Sequence, residues 1–305
     1  MTSHIPARTA NTLPKHSGGA GSDVVLELGD LGPWRPQLVA TDLDGTLLTS
    51  QGTVSDRTRA AMDASWAAGV PVVGVTGRGP RLLDSVRTTL GGRGVAVLAQ
   101  GGFVVDLDAD EVLRAVGLPR DEAHAVVAAI EAVTGPLIIA VEDAATQSEA
   151  LTPLRVQHGF DWPYPEPADL LPREQVLPDG PVLKVFLRSE TLGQDELLAL
   201  ALSVTDSSAA EVTHAGLGFI EVLPPGITKA TGLAVALERF GVPMSEVLVF
   251  GDMPNDLPMI HAVNAAGGRS VAVANAHPAV LAAATGRTGG HDADGVARYL
   301  EALQQ

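Results

Sequence analysis

The sequence predicts an α/β fold: a parallel sheet with crossover helices, interrupted by an inserted α+β unit. Three observations carry this. From residue 37 to about 99, short apolar runs alternate with segments of helical spacing. The same alternation returns from residue 229 to the end. The stretch between them has β-rich runs, helical segments and a proline-dense loop instead. Strand, helix, strand in regular succession is the pattern of parallel strands joined by crossovers.

Taken in order, residues 1–34 read as a tail. They are rich in small and polar residues, and Gly18-Gly19-Ala20-Gly21-Ser22 has linker composition. No apolar h-region marks a secretory signal there. Leu38-Val39-Ala40 is the first strand and stops at Asp42. Ser55 to Ala68 is helical, with Ser55 as N-cap and Gly69 as the stop. Val70 to Val75 is a strand ending at Thr76-Gly77, Pro80 to Leu90 a helix closed by Gly91-Gly92, and Val95 to Ala99 a third strand. Residues 35–111 are therefore the first part of the core. The insert is expected over 112–217, with helices over Asp121–Val133 and Asp195–Val204, β-rich runs at Leu137–Val141 and Val182–Leu187, and prolines concentrated between 162 and 181. The core resumes over 218–305: a strand at Phe219–Leu223, a helix over Lys229–Phe240 ended by Gly241, strands at Glu246–Phe250 and Ser270–Ala274, and a last helix over Ala293–Leu303.

Composition narrows the function. The 305 residues are 46% hydrophobic and 18% charged, enough apolar material for a core and too much for a disordered chain. No apolar run approaches the roughly 20 residues that span a bilayer, which argues against a membrane partner. The absence of cysteine excludes disulfides and thiolate chemistry and fits a reducing, cytoplasmic compartment. The net charge of −16 and only 4% aromatics argue against a nucleic-acid partner. An acidic chain that binds an anion needs a local cation.

Four segments carry the chemistry, each at a strand end or helix start, the edge where open parallel sheets bind ligands. Asp42-Leu43-Asp44-Gly45-Thr46 sets two carboxylates on one turn. An Asx turn explains one aspartate and the glycine; a bound Mg²⁺ explains the group. Thr76-Gly77-Arg78 offers a hydroxyl and backbone N–H groups to phosphate oxygens, although a Thr-Gly turn is also a common helix entry. Lys229 opens a helix, where its charge opposes the macrodipole unless it faces an anion. Gly251-Asp252-Met253-Pro254-Asn255-Asp256 ends a strand with two more carboxylates, one of which can complete the metal site. A capped helix start accounts for part of this last group. Together the four make a Mg²⁺-assisted phosphoryl-transfer site.

These segments, in this order, resemble the haloacid dehalogenase superfamily of phosphotransferases. The position of the insert resembles the Cof-like sugar-phosphatase branch with a type IIB α+β cap on a Rossmann-like core. The likeness extends to Asn275-Ala276-His277-Pro278 and Asp294-Gly295-Val296. It implies that Asp42 is the nucleophile, forming an aspartyl-phosphate, and that Asp44 is the acid and base. Asp42, Asp252 and the Asp44 carbonyl would hold Mg²⁺. Thr76, Gly77 and Lys229 would grip the phosphoryl group, Asn255 would orient the phosphate or Lys229, and Asp256 would support Lys229 or a metal-bound water. Gln100-Gly101-Gly102 departs from the branch's frequent Asn-Gly-Ala, and Ala230 stands where glycine is frequent.

The implied activity is hydrolysis of small phosphate esters, sugar phosphates first and flavin or pyridoxal phosphates next, by a monomer or homodimer. A phosphomutase of the same fold and a non-catalytic binding or regulatory module are the alternatives. Asp106-Leu107-Asp108-Ala109-Asp110 imitates a calcium loop but lacks its glycine and its bidentate glutamate, so a polar hairpin turn is expected. Trp66, Trp162, Phe186 and Phe219 read as packing residues.

Overall fold

The computed structural model describes residues 34–144, 154–162, 168–214 and 216–304. The expected tail lies outside these residues except for Trp34, whose indole Nε1 donates to the Ser245 carbonyl at 3.1 Å. The densest part of the proline run, 163–167, also lies outside.

Two sheets organise the chain. The first has eight strands in the order β14-β13-β12-β1-β2-β3-β4-β5. Its centre is β1 (Leu38–Thr41), β2 (Val72–Val75), β3 (Val95–Leu98) and β12 (Val247–Gly251), with β13 (Arg269–Ala272) and β14 (Gly286–Arg287) beyond β12. All pairs from β14 to β3 are parallel. The central strands are buried along their whole length, as their unbroken apolar sequences require of strands covered on both faces. Helices α1 (Asp56–Ala67), α2 (Leu83–Leu90), α6 (Lys229–Phe240), α7 (Leu257–Ala266), α8 (Pro278–Ala283) and α9 (Gly295–Leu303) link and cover these strands. The expected caps are present: Ser55 accepts from the Thr58 N–H, and Gly91 and Gly241 close α2 and α6 in left-handed conformations.

Strand order fixes where a ligand can sit. From β1 the chain steps to β2 and β3 on one side; from β12 it steps to β13 and β14 on the other. Right-handed crossovers therefore send the helices after β1 and β12 to opposite faces, and a crevice opens between the two strand ends. Thr41 pairs with Phe250, so Asp42 and Asp252 leave adjacent strands almost side by side.

Strands β4 (Phe103–Asp106) and β5 (Glu111–Ala115) extend the first sheet as antiparallel neighbours. The turn joining them is the expected polar hairpin: Asp106 Oδ1 accepts from the Asp108 and Ala109 N–H groups, and Arg239 pairs with its other oxygen at 2.5 Å.

The second sheet has the order β10-β11-β9-β6-β7-β8. Its strands are β6 (Ile138–Asp143), β7 (Leu154–Gln157), β8 (Ala168–Leu171), β9 (Val182–Arg188), β10 (Glu211–Thr213) and β11 (Ile220–Leu223). Helices α3 (Arg120–Thr134), α4 (Arg173–Val176) and α5 (Gln194–Val204) accompany it. Sheet membership departs from the boundaries 112 and 217 at both ends. β5 stays in the first sheet as the hairpin partner of β4, and β11, expected in the core, pairs antiparallel with β9. An edge hairpin and a returning strand look alike in sequence, and pairing alone separates them.

Period-two alternation gives the second sheet two distinct faces. Ile139, Val141, Val185, Leu187, Ile220 and Val222 pack with α3 and α5 in one cluster. Ala140, Phe186 and Phe219 belong to a separate cluster with Leu154, Val156 and Phe160 on the opposite face. Glu142, Lys184 and Glu221 alternate in step with that opposite face, which turns toward the crevice of the first sheet.

Candidate active site

The turn after β1 is wide: Leu48 N–H reaches back to the Leu43 carbonyl at 2.8 Å. Gly45 sits at φ 81°, and a Cβ there would overlap the Asp252 carboxylate. Both facts demand glycine. Thr46 then points its hydroxyl to Asp252 Oδ1 at 2.8 Å, tying the first carboxylate turn to the second.

Lys229, at the first position of α6, is wholly buried. Its ammonium donates to Asp42 Oδ1 at 2.6 Å and to Asp256 Oδ1 at 2.6 Å. Asp256 Oδ2 accepts from the Asp252 and Met253 N–H groups at 2.8 and 3.0 Å. The expected support of Lys229 by Asp256 is therefore present in the geometry.

Asp42, Asp252 and Asp256 bring carboxylate oxygens within 4.8 Å of one another. Burial is the largest influence on Asp42 and pushes its carboxyl up to about 7, with Asp256 and Asp44 adding and Lys229 opposing. Burial and the Asp42 charge likewise raise Asp252 well above the usual carboxylate range. Burial would lower the Lys229 ammonium, but Asp256 and Asp42 more than compensate and hold it charged. Three buried carboxylates against one ammonium leave negative charge uncompensated, and a divalent cation fits that deficit. Asp256 already accepts from three donors, so Asp42 and Asp252 are the better placed to hold it.

Asp44 stands apart from this cluster. Its side chain is 39% exposed and takes a bidentate pair from Arg78, at 2.8 Å from Nε and 2.6 Å from Nη2. Thr76 is buried directly after β2, and its hydroxyl oxygen accepts from the Arg78 N–H at 3.1 Å, so the O–H remains to donate. Asp42, Asp44, Thr76, Gly77 and Asn255 all line one pocket.

Asn255 does not reach Lys229. Its amide nitrogen donates to Gln100 Oε1 at 3.2 Å, and its own Oδ1 is buried without a hydrogen-bond partner. Gln100 continues the chain to Glu221 of the second sheet at 2.9 Å. The residue that departs from the branch pattern is thus a bridge between the two sheets. It and Ala99 both adopt positive φ, 58° and 48°, a strained pair held in place at the pocket.

Several pocket residues carry no motif. Arg78 was visible only as the third letter of Thr76-Gly77-Arg78. Lys184 donates to the Gly77 carbonyl and lies 3.7 Å from Glu221 and 3.9 Å from Glu142. Arg81 lies 3.6 Å from Glu142 and 5.3 Å from the Trp162 ring. A Cβ on Gly79 would collide with the Glu142 carboxylate, so any larger residue there has to displace that side chain. A lysine within the apolar run Val182–Arg188 was the available signal for this face. The residues read as packing do pack: Trp66 lies in the first core beside Phe240, and Trp162, Phe186 and Phe219 pack on one another in the second sheet at the border of the pocket.

The family model for haloacid dehalogenase-like hydrolases matches residues 39–300. A 5-amino-6-(5-phospho-D-ribitylamino)uracil phosphatase of Escherichia coli is 28% identical over 271 residues, covering 87% of this chain and 95% of its own. A chloroplastic endoribonuclease of Arabidopsis thaliana is 28% identical over 276 residues; this chain spans only 44% of its length. Among solved structures, a subclass IIB sugar phosphatase superposes with a TM-score of 0.69 at 20% identity, covering 88% of this chain and 98% of that one, a likeness of fold.

Proposed function

The chain belongs to the haloacid dehalogenase-like hydrolases, and we propose that it is a Mg²⁺-dependent phosphatase working through an aspartyl-phosphate on Asp42. Several of its relatives, the Escherichia coli 5-amino-6-(5-phospho-D-ribitylamino)uracil phosphatase among them, are phosphatases of small phosphorylated metabolites. One observation carries the finer reading: Asp42, buried and crowded by two other carboxylates, is held at 2.6 Å by an equally buried lysine. A packed interior gains nothing from such a cluster, whereas a reaction that brings in a phosphoryl group needs it.

Asp42 attacks phosphorus, the bond to the leaving alcohol breaks, and Asp44 gives that oxygen its proton. Water then attacks the same phosphorus, Asp44 recovers a proton, and the Asp42–phosphorus bond opens to restore the carboxylate. Arg78 engages both Asp44 oxygens in the structure, so Asp44 has to release at least one of these contacts to carry the proton it delivers. Thr76 O–H and Gly77 N–H donate to the phosphoryl oxygens, and Lys229 offsets the charge that gathers on them. Asp42, Asp252 and the Asp44 carbonyl would hold Mg²⁺, which supplies Lewis-acid charge neutralisation on the phosphoryl group. The second sheet closes the pocket against water.

The resemblance favours a sugar phosphate as substrate. The test of the reaction itself is phosphate release from a panel of metabolite esters and acetyl phosphate, with Mg²⁺ and with excess EDTA, for wild type and Asp42→Asn. Mg²⁺-dependent release that vanishes in the variant is expected. Isomerisation of a hexose 1-phosphate without free phosphate would mean a mutase instead, and no reaction with any ester would mean a binding module.

A further inference from the structure

We propose that Gln100 is a positioning residue for phosphoryl transfer: it holds the Thr76–Gly77 peptide and Asn255 in the geometry that receives phosphate, and does so only while Glu221 of the second sheet is seated against it. The inference rests on the phosphatase reading and adds to it how the second sheet governs the phosphate-binding groups.

The backbone of Gln100 carries the first half. The residue is buried and stands at φ 58° and ψ 17°, next to Ala99 at φ 48°. Two successive residues with side chains persist in the left-handed region only where their surroundings over-determine them. The Gln100 N–H donates to the Thr76 carbonyl at 3.1 Å, and the Ala99 N–H to the Arg78 carbonyl at 2.8 Å. In a planar trans peptide the C=O and the following N–H point opposite ways, so fixing the Thr76 carbonyl turns the Gly77 N–H away from Gln100. That N–H is a phosphate donor in the proposed reaction. Lys184 holds the next peptide by donating to the Gly77 carbonyl.

The side chain carries the second half. Its amide lies against Gly77, where an added Cβ would come 2.7 Å from Nε2. Nε2 donates to Glu221 Oε2 at 2.9 Å, and Oε1 accepts from Asn255 Nδ2 at 3.2 Å. Chemistry forces this order. A carboxylate only accepts, so Glu221 takes the NH₂ end of Gln100; the carbonyl end is left for Asn255, which is thereby held in one orientation. Glu221 also lies 3.7 Å from Lys184, so both supports of Gly77 meet on one buried carboxylate of β11. Displacing β11 releases both at once. Without Glu221 the Gln100 amide is free to turn over, and the strained backbone beneath it loses its anchor.

The test uses the full-length protein with Mg²⁺. It measures kcat and KM for acetyl phosphate and glucose 6-phosphate, the inhibition constant of inorganic phosphate, and a thermal melt. A purely structural role lowers the melting temperature and the folded fraction, which lowers apparent kcat but leaves KM and the inhibition constant alone. A positioning role moves those two constants. Gln100→Leu should raise the inhibition constant of phosphate about tenfold, the loss expected when a hydrogen bond to a charged group is misaligned. Glu221→Leu keeps Gln100 but removes its acceptor, and should raise the constant about fivefold. Gln100→Glu combined with Glu221→Gln exchanges carboxylate and amide and still offers Asn255 an acceptor, so that double variant should stay within about threefold of wild type. An unchanged inhibition constant in Gln100→Leu would overturn the inference while leaving the phosphatase intact. So would a double variant no better than Gln100→Leu, or a Glu221→Leu enzyme that binds phosphate as the wild type does. No hydrolysis of any ester by the wild type, acetyl phosphate included, would remove the phosphatase reading and this inference with it.

Discussion

The two sides of the pocket are built on opposite principles. The edge of the first sheet gathers charge: Asp42, Asp252 and Asp256 cluster in the interior, one ammonium bonds Asp42 and Asp256, and hydrogen bonds hold four of the six oxygens. The facing side of the second sheet gathers aromatic surface, and its few charged groups are spent on seating that sheet. The difference teaches a division of labour. The charged edge can act on a phosphoryl group common to every ester, and the second sheet can close the pocket over it.

The comparison breaks first at Asp42. Asp42→Asn should lower turnover by about 10⁴-fold or more for every ester, since a lost nucleophile is not replaced by its neighbours. The melting temperature should not fall, because the variant removes a carboxylate that burial already disfavours. Phosphate release and a thermal melt check the two halves.

Lys229→Met should cost about 10²–10³-fold in kcat. It also leaves Asp42 and Asp256 buried without their ammonium, so stability should drop by about 3–5 kcal/mol, measured by urea titration. Both losses should be the same whichever alcohol is tested.

Gly79→Ala should act from the other side. The added Cβ displaces the Glu142 carboxylate from Arg81 and Lys184, loosening the contact between the sheets, and kcat/KM should fall by about tenfold. Steady-state kinetics on large esters and on acetyl phosphate would sharpen the contrast, with the larger loss expected for the large esters.

The smallest effect is a pH dependence. The folded Asp42 carboxyl titrates near 7, above its unfolded value, so the folded state holds a proton that the unfolded chain has lost. Its contribution is full below the unfolded value and fades as pH rises through about 7. Metal-free protein should therefore melt about 3 °C lower at pH 8 than at pH 5, with a smaller change in Asp42→Asn. Mg²⁺ should raise the melting temperature more at pH 8 than at pH 5.

The same contrast explains how much was legible in the sequence. The charged edge was visible because turn chemistry is local: two aspartates around Leu43, a glycine at φ 81°, and Asp252 directly after an apolar strand. The parallel strands were visible because burial on both faces leaves unbroken apolar runs. The wall was not, because it is assembled across strands. Phe186 faces Glu221 and Glu142 faces Lys184 only once β6, β9 and β11 pair in register. For the same reason β11 was expected in the first sheet, and the contact from Asn255 to Gln100 was not foreseen.

The measurement closest to the central claim is chemical trapping of the enzyme during turnover. The protein, mixed with a rapidly hydrolysed ester and Mg²⁺, is quenched with acid or reduced with borohydride, and its peptides are weighed. The expected result is one phosphoryl group, or the borohydride reduction product, on Asp42, absent before substrate and gone once it is consumed. Full turnover with the label on another residue, or with none trapped by either route, would contradict an aspartyl-phosphate at Asp42.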